Sequence, residues 1–146
     1  MRYVKLIIVT IIVCVVFSSC STVGSGQGDY FGFKVSEFVV VDESDSHGGF
    51  HGDGDYYLIL DCSENAEQAK ELIDGWKPLP LTENLQQVMD MTCSGMENGV
   101  YKFIDRHPDA IDASDDTDLF DRYSYNFSIA VYDLDTDMLY YFEFDT

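Results

Sequence analysis

Hydrophobic and polar positions along the chain fall into three patterns, and each predicts a different kind of segment. Arg2 and Lys5 precede an apolar run, Leu6–Phe17, in which Thr10 is the one hydroxyl residue, and it gives way to the small residues Ser18 and Ser19. A charged start, an apolar middle and small residues at the end make residues 1–19 a secretory signal. The run is too short for the ~20 apolar residues that cross a bilayer as a helix. Residues 20–34 hold Cys20 and a Gly- and Ser-rich stretch without a period, which predicts a flexible tether. Order is expected from Val35, as one domain over residues 35–146.

Within that domain the period alternates between two and about three and a half. Phe38–Val41 is a short β-branched run, and Tyr56–Cys62 places Tyr56, Leu58, Leu60 and Cys62 on one side of a strand. Ser63 is placed to cap a helix over Glu64–Asp74, with Glu64 and Glu67 in its first turn and Gly75 past its end. Ala66, Ala69, Ile73 and Trp76 form the stripe that would lie on a sheet. Pro78 and Pro80 disfavour helix at the residues before them, so Trp76–Leu81 is expected to be extended. Thr82 caps a second helix, Glu83–Met91, with Leu85, Val88, Met89 and Thr92 on one side. Val100–Asp105 then reads as a strand, and Tyr123–Asp133 with Met138–Asp145 as a long hairpin whose Tyr125, Phe127, Ile129 and Val131 point inward.

Strand, strand, helix, helix and three further strands lack the β-α-β alternation of parallel sheets. The expected class is α+β, an antiparallel sheet of about five strands with two helices packed on one face. Its layering resembles cystatin-like and NTF2-like architectures, and layers alone carry no function. The length leaves no room for a second domain.

Charge narrows the function classes. The chain has 27 acidic and 8 basic residues, a formal net charge of −19, and removing residues 1–19 takes away two bases and no acid. Such a field repels nucleic acid and anionic lipid and attracts cations or a basic protein partner. Ten Tyr, ten Phe and one Trp argue against the disorder that high charge otherwise implies.

Phe17-Ser18-Ser19-Cys20 resembles the lipobox of bacterial lipoproteins. The resemblance implies that Cys20 receives a diacylglyceryl group and holds the protein to the membrane on its extracytoplasmic side. HGGFHGDG, WKPLPLTENL and the ending YYFEFDT also resemble segments of small bacterial lipoproteins. That likeness spans most of the mature chain, supports one folded unit and transfers no catalytic residue. Cys14 falls within the signal, which leaves Cys62 and Cys93 as either a disulfide permitted by export or two core thiols.

Three features suggest chemistry. His47, His51 and His107 all fall in expected loops, and three imidazoles with an open fourth position can hold a catalytic zinc, with Asp53 or Asp55 as supporting carboxylate or base. Gly48, Gly49, Gly52 and Gly54 oppose the helix that would place His47 and His51 on one side. A wide turn with solvated histidines is the competing reading. Asp109, Asp112, Asp115, Asp116, Asp118 and Asp121 crowd together around Ser114. They repel one another, and a weakly bound calcium ion or a basic partner would relieve that repulsion as well as solvation does. Asp133, Asp135 and Asp137 alternate as in a calcium loop but lie at a hairpin turn. Arg106 and His107, beside Asp105 and Asp109, are expected to pair internally.

No Ser/His/Asp set or cofactor fingerprint stands out. The expected function is a tethered, noncatalytic recognition or inhibitory module. The alternatives are a hydrolase dependent on a divalent cation at His47, His51 and His107, and a weak calcium-binding envelope protein.

Overall fold

The computed structural model describes residues 31–48, 53–89, 93 and 95–146. Cys20, His51 and the expected last turn of the second helix lie outside them. Six strands form one antiparallel sheet: β1 (Val39–Asp45), β2 (Gly54–Asp61), β3 (Lys77–Pro78), β4 (Gly99–Asp105), β5 (Asn126–Asp133) and β6 (Met138–Asp145). Their order is β1-β2-β6-β5-β4-β3, and two helices accompany them, α1 (Ala66–Leu72) and α2 (Glu83–Met89).

The α+β class is therefore observed, with one strand more than expected. The addition is β3, drawn from the proline-rich connector. Pro78 has no N–H to give a ladder and is tolerated because β3 is an edge, where Lys77 pairs with Tyr101 of β4.

Both helices begin and end for local reasons. Thr82 Oγ1 accepts the Leu85 N–H at 3.3 Å, the cap expected for α2. A 3-10 turn, Ser63–Asn65, leads into α1. Its first N–H, from Ser63, is taken by Asp61 Oδ1 at 2.9 Å, so Asp61 performs the task assigned to Ser63. After α1 the chain turns at Gly75, whose φ of +78° favours glycine.

Strand register separates the sheet's two faces. Leu58 lies opposite Tyr141, and Tyr141 opposite Ala130. The next residues along, Tyr57, Phe142, Ile129 and Phe103, are matched in the same way on the other side. On the first face α1 contributes Ala69 to a cluster with Phe31, Phe33, Leu58, Leu60 and Tyr141. On the second, α2 contributes Leu85 and Met89 to a cluster with Phe103, Leu119, Phe127 and Ile129.

The helices thus occupy opposite faces, which corrects the expectation of one covered face. The reason is topological. β3 follows α1 and precedes α2, so the chain rounds the sheet's edge there and passes from one face to the other. β5, near the middle, is consequently buried at every residue from Phe127 to Tyr132.

Candidate functional site

On the α1 face, beyond the apolar cluster, the ends of β1 and β6 hold linked charges. His47 Nδ1 is 2.7 Å from Asp45 Oδ1, which also accepts the His47 backbone N–H at 2.9 Å. His47 Nε2 faces Asp145 Oδ2 at 3.4 Å. Arg106 Nη2 joins Asp145 Oδ1 at 2.9 Å and Glu143 Oε1 at 3.0 Å. The Tyr141 hydroxyl donates to Glu143 Oε2 at 2.7 Å.

These contacts set the protonation chemistry. The His47 backbone N–H and then its ring hold the Asp45 carboxyl below its usual range. Burial pulls the His47 pKa down, but the Asp45 and Asp145 carboxylates together outweigh it and leave the ring more basic than free histidine. Both ring nitrogens are turned to carboxylates, and the cluster ties β1 to β6. Gly54 belongs to the same corner for steric reasons, since a Cβ there would lie 2.7 Å from the His47 backbone nitrogen. Close approach of the backbone explains that glycine.

His107 is held elsewhere. Its ring is buried and accepts the Asp109 backbone N–H on Nδ1 at 3.1 Å. A neutral imidazole that accepts on Nδ1 carries its proton on Nε2, so Nε2 donates to Ser124 Oγ at 3.1 Å. A general base for Ser124 would need the opposite tautomer. In this arrangement the Ser124 oxygen is the acceptor of the pair. Beneath it Asp105, with no exposed side-chain surface, accepts the His107 backbone N–H at 2.9 Å and pairs with Arg122 Nη1. His47 and His107 each serve their own partners.

The acidic run is also committed locally. Asp112 Oδ1 accepts from both the N–H and the hydroxyl of Ser114, and Asp115 Oδ1 does the same for Thr117. These bonds lower both carboxyl pKa values. Asp116 is buried and accepts the Thr82 hydroxyl, Asp118 is exposed, and Lys77 Nζ donates to the Ser114 carbonyl at 2.9 Å. Among the described residues no three His, Cys, Asp or Glu side chains gather in ion-holding geometry. Cys62 and Cys93 are free thiols in clusters on opposite faces, so the sheet separates the two halves of the bridge considered above.

A different surface stands out on the α2 face. α2 covers its β4–β5 half, whereas Tyr57 and Ile59 of β2 belong to neither packed cluster and stay half-exposed. Beside them run the half-buried rings of Tyr140, Phe142 and Phe144. Phe142 and Phe144 are stacked with centroids 6.3 Å apart, and Tyr125 continues the row 6.1 Å from Phe144. Phe120, Tyr125, Phe142 and Phe144 line a hollow of about 230 Å³. The margins are acidic: Asp42, which accepts the Tyr57 hydroxyl at 2.9 Å, and by register Asp55, Asp61 and Asp133. β1, β2, β5 and β6 contain eight acidic residues and no lysine or arginine.

Aromatic faces attract cations through their quadrupole, and neighbouring carboxylates add charge attraction. The fold uses this attraction internally, where Lys102 Nζ lies 5.7 Å from the Phe31 ring centroid. The rows Tyr140/Phe142/Phe144 and Leu139/Tyr141 are both apolar on paper, so alternation along β6 did not reveal which would be left open. Comparisons with protein-family models, curated proteins and solved structures find no match to this chain.

Proposed function

We propose that this protein is an acidic bacterial envelope lipoprotein, anchored through Cys20 on the extracytoplasmic face of the membrane, whose folded part is a noncatalytic recognition or inhibitory module. Its partner is a basic protein that lays lysine or arginine side chains across the open row Tyr57, Tyr140, Phe142 and Phe144. One observation carries this reading: an aromatic strip bordered by carboxylates, on four strands without a lysine or arginine. Exposed contiguous apolar surface marks interaction sites on soluble domains. The engaged state of His47 and His107 supports recognition over hydrolysis.

The docking surface is tested with a peptide alternating lysine and valine, against its glutamate counterpart. Binding of the lysine peptide is expected to weaken at least tenfold in the Tyr57→Ala, Asp42→Asn double variant and to fall with salt as screened charges do. Equal binding of the two peptides, or an unaffected variant, would remove the surface from consideration. The anchor has its own readout. A palmitate analogue should label the protein in bacterial cells and the label should vanish in Cys20→Ser, whereas a soluble unlabelled parent protein defeats the anchor.

A further inference from the structure

A separate hollow of about 420 Å³ lies at the outer edge of β4, away from the open aromatic row. Leu72, Trp76, Lys77, Lys102, Ile104 and Ser114 line it, and Lys102, opposite Ala130, places it on the α1 face. Hydrogen bonds fix which way the β4 backbone points. The Gly99 carbonyl accepts the Leu79 N–H at 3.0 Å and the Asp105 N–H donates to the Ala113 carbonyl at 2.7 Å, both outward, whereas the Arg106 N–H turns inward to Asn126. Alternate residues of a strand send their backbone groups the same way, so Tyr101 and Phe103 also face the edge. Tyr101 is met by Lys77. Phe103 would be met by residue 75 in the same register, but Gly75 at φ +78° turns the chain back toward α1, and the Trp76 N–H is spent on the Ile73 carbonyl at 3.0 Å. Among the described residues no backbone group pairs with Phe103 on that side.

We propose that this gap receives the C-terminal end of an extended peptide, which pairs its last amide groups with the Phe103 N–H and C=O and sets its carboxylate against Lys77. Main-chain pairing at an exposed sheet edge and capture of a terminal carboxylate are both recurring modes of peptide recognition. The gap admits an end rather than a passing chain. Lys77 occupies the edge at Tyr101 and Ala113 occupies it at Asp105, which leaves about 13 Å between them at the usual rise per residue.

Charge selects which end of the peptide enters. Lys77 Nζ reaches across to the Ser114 carbonyl at 2.9 Å and keeps further N–H bonds to give a carboxylate. Two of the four lysines beyond residue 19 line the hollow, against a single carboxylate, Asp74. The neighbouring Asp112 and Asp115 are taken up by the Ser114 and Thr117 N–H groups. An N-terminal ammonium would instead meet like charge. Leu72, Trp76 and Ile104 supply an apolar wall for the last side chain of the peptide.

Trp76 is the chain's single tryptophan, so its emission reports on the hollow directly. The full chain, purified in detergent, is titrated with acetyl-alanyl-valyl-leucine and, in parallel, with the same peptide ending in an amide. The free acid should shift the emission saturably and bind at least tenfold more tightly than the amide. Methylating the peptide nitrogens one at a time should abolish binding at the position that faces Phe103. Lys77→Met should weaken the acid at least tenfold and leave the amide unchanged, a split that misfolding would not produce. Lys70→Met, which removes the same charge from α1 outside the hollow, should leave both peptides unchanged. No saturable shift with the free acid, equal binding of acid and amide, full affinity in Lys77→Met, or tolerance of methylation at every nitrogen would overturn the site.

Discussion

Replacing Asp105 by alanine is expected to destabilise the fold by about 3–5 kcal/mol, the range for removing one partner of a buried ion pair. The Asp105 side chain has no exposed surface, pairs with Arg122 and accepts the His107 backbone N–H. Truncation leaves a guanidinium, itself 18 % exposed, without its counter-charge, and deprives a buried N–H of its acceptor. Urea denaturation of Asp105→Ala measures the loss. The double variant Asp105→Leu, Arg122→Met should recover much of it, because no uncompensated charge remains. A loss below about 1 kcal/mol would assign the pair to the surface class, in which water replaces the partner.

The second large effect tests the placement of the helices. Leu58, in the α1 cluster, and Leu85, on α2, are both fully buried. Each change to alanine is expected to cost about 2–5 kcal/mol through lost burial and a residual cavity. With the sheet between them the two losses should add, and their sum consumes most of the ~5–15 kcal/mol that holds a domain of this size. Denaturation midpoints of the single and double variants decide the matter. Strong coupling between the two would mean a shared core and would contradict helices on opposite faces.

Much of this architecture was legible in the residues, and what was not has identifiable causes. The alternation Tyr56, Leu58, Leu60 located β2, and the stripes beginning at Ala66 and Leu85 located both helices. A stripe says that a helix covers apolar surface but not which side of a sheet it covers. The deciding signal was in β5, where Ser128 and Ala130 are buried between Phe127, Ile129 and Val131. A serine and an alanine read as the outward half of an amphipathic strand, so the second core stayed hidden.

The candidate chemistry divides in the same way. His47 and Arg106 drew attention by residue type, but their partner Asp145 comes from the far end of β6 and shares no spacing with either. The open aromatic row depends on where α2 stops covering the sheet, which is a property of packing. Asp112 and Asp115 looked like free ligands because composition cannot show a carboxylate folded back on the Ser114 and Thr117 N–H groups.

β1 shows how the opposite tendency is restrained. Val39, Val40 and Val41 are 51 %, 40 % and 56 % exposed on an edge strand, the kind of template on which sheets of separate molecules join. A register shift between Val40 and Asp42 breaks the ladder, and Asp42 Oδ1 occupies the Glu43 N–H at 2.9 Å. With Asp42, Glu43 and Asp45 on one short strand, two copies aligned edge to edge would bring like charges together.

The strand order also sets a timetable for the growing chain. β2 lies beside β6, and β4 beside β5, yet β5 and β6 are the last of the eight helices and strands among the described residues to leave the ribosome. Until they arrive, the hairpin of β1 and β2 and the pair of β3 and β4 have no central strands to join them. Long-range pairings of this kind are slow to form. A nascent chain would therefore keep its sheet unassembled for most of its synthesis.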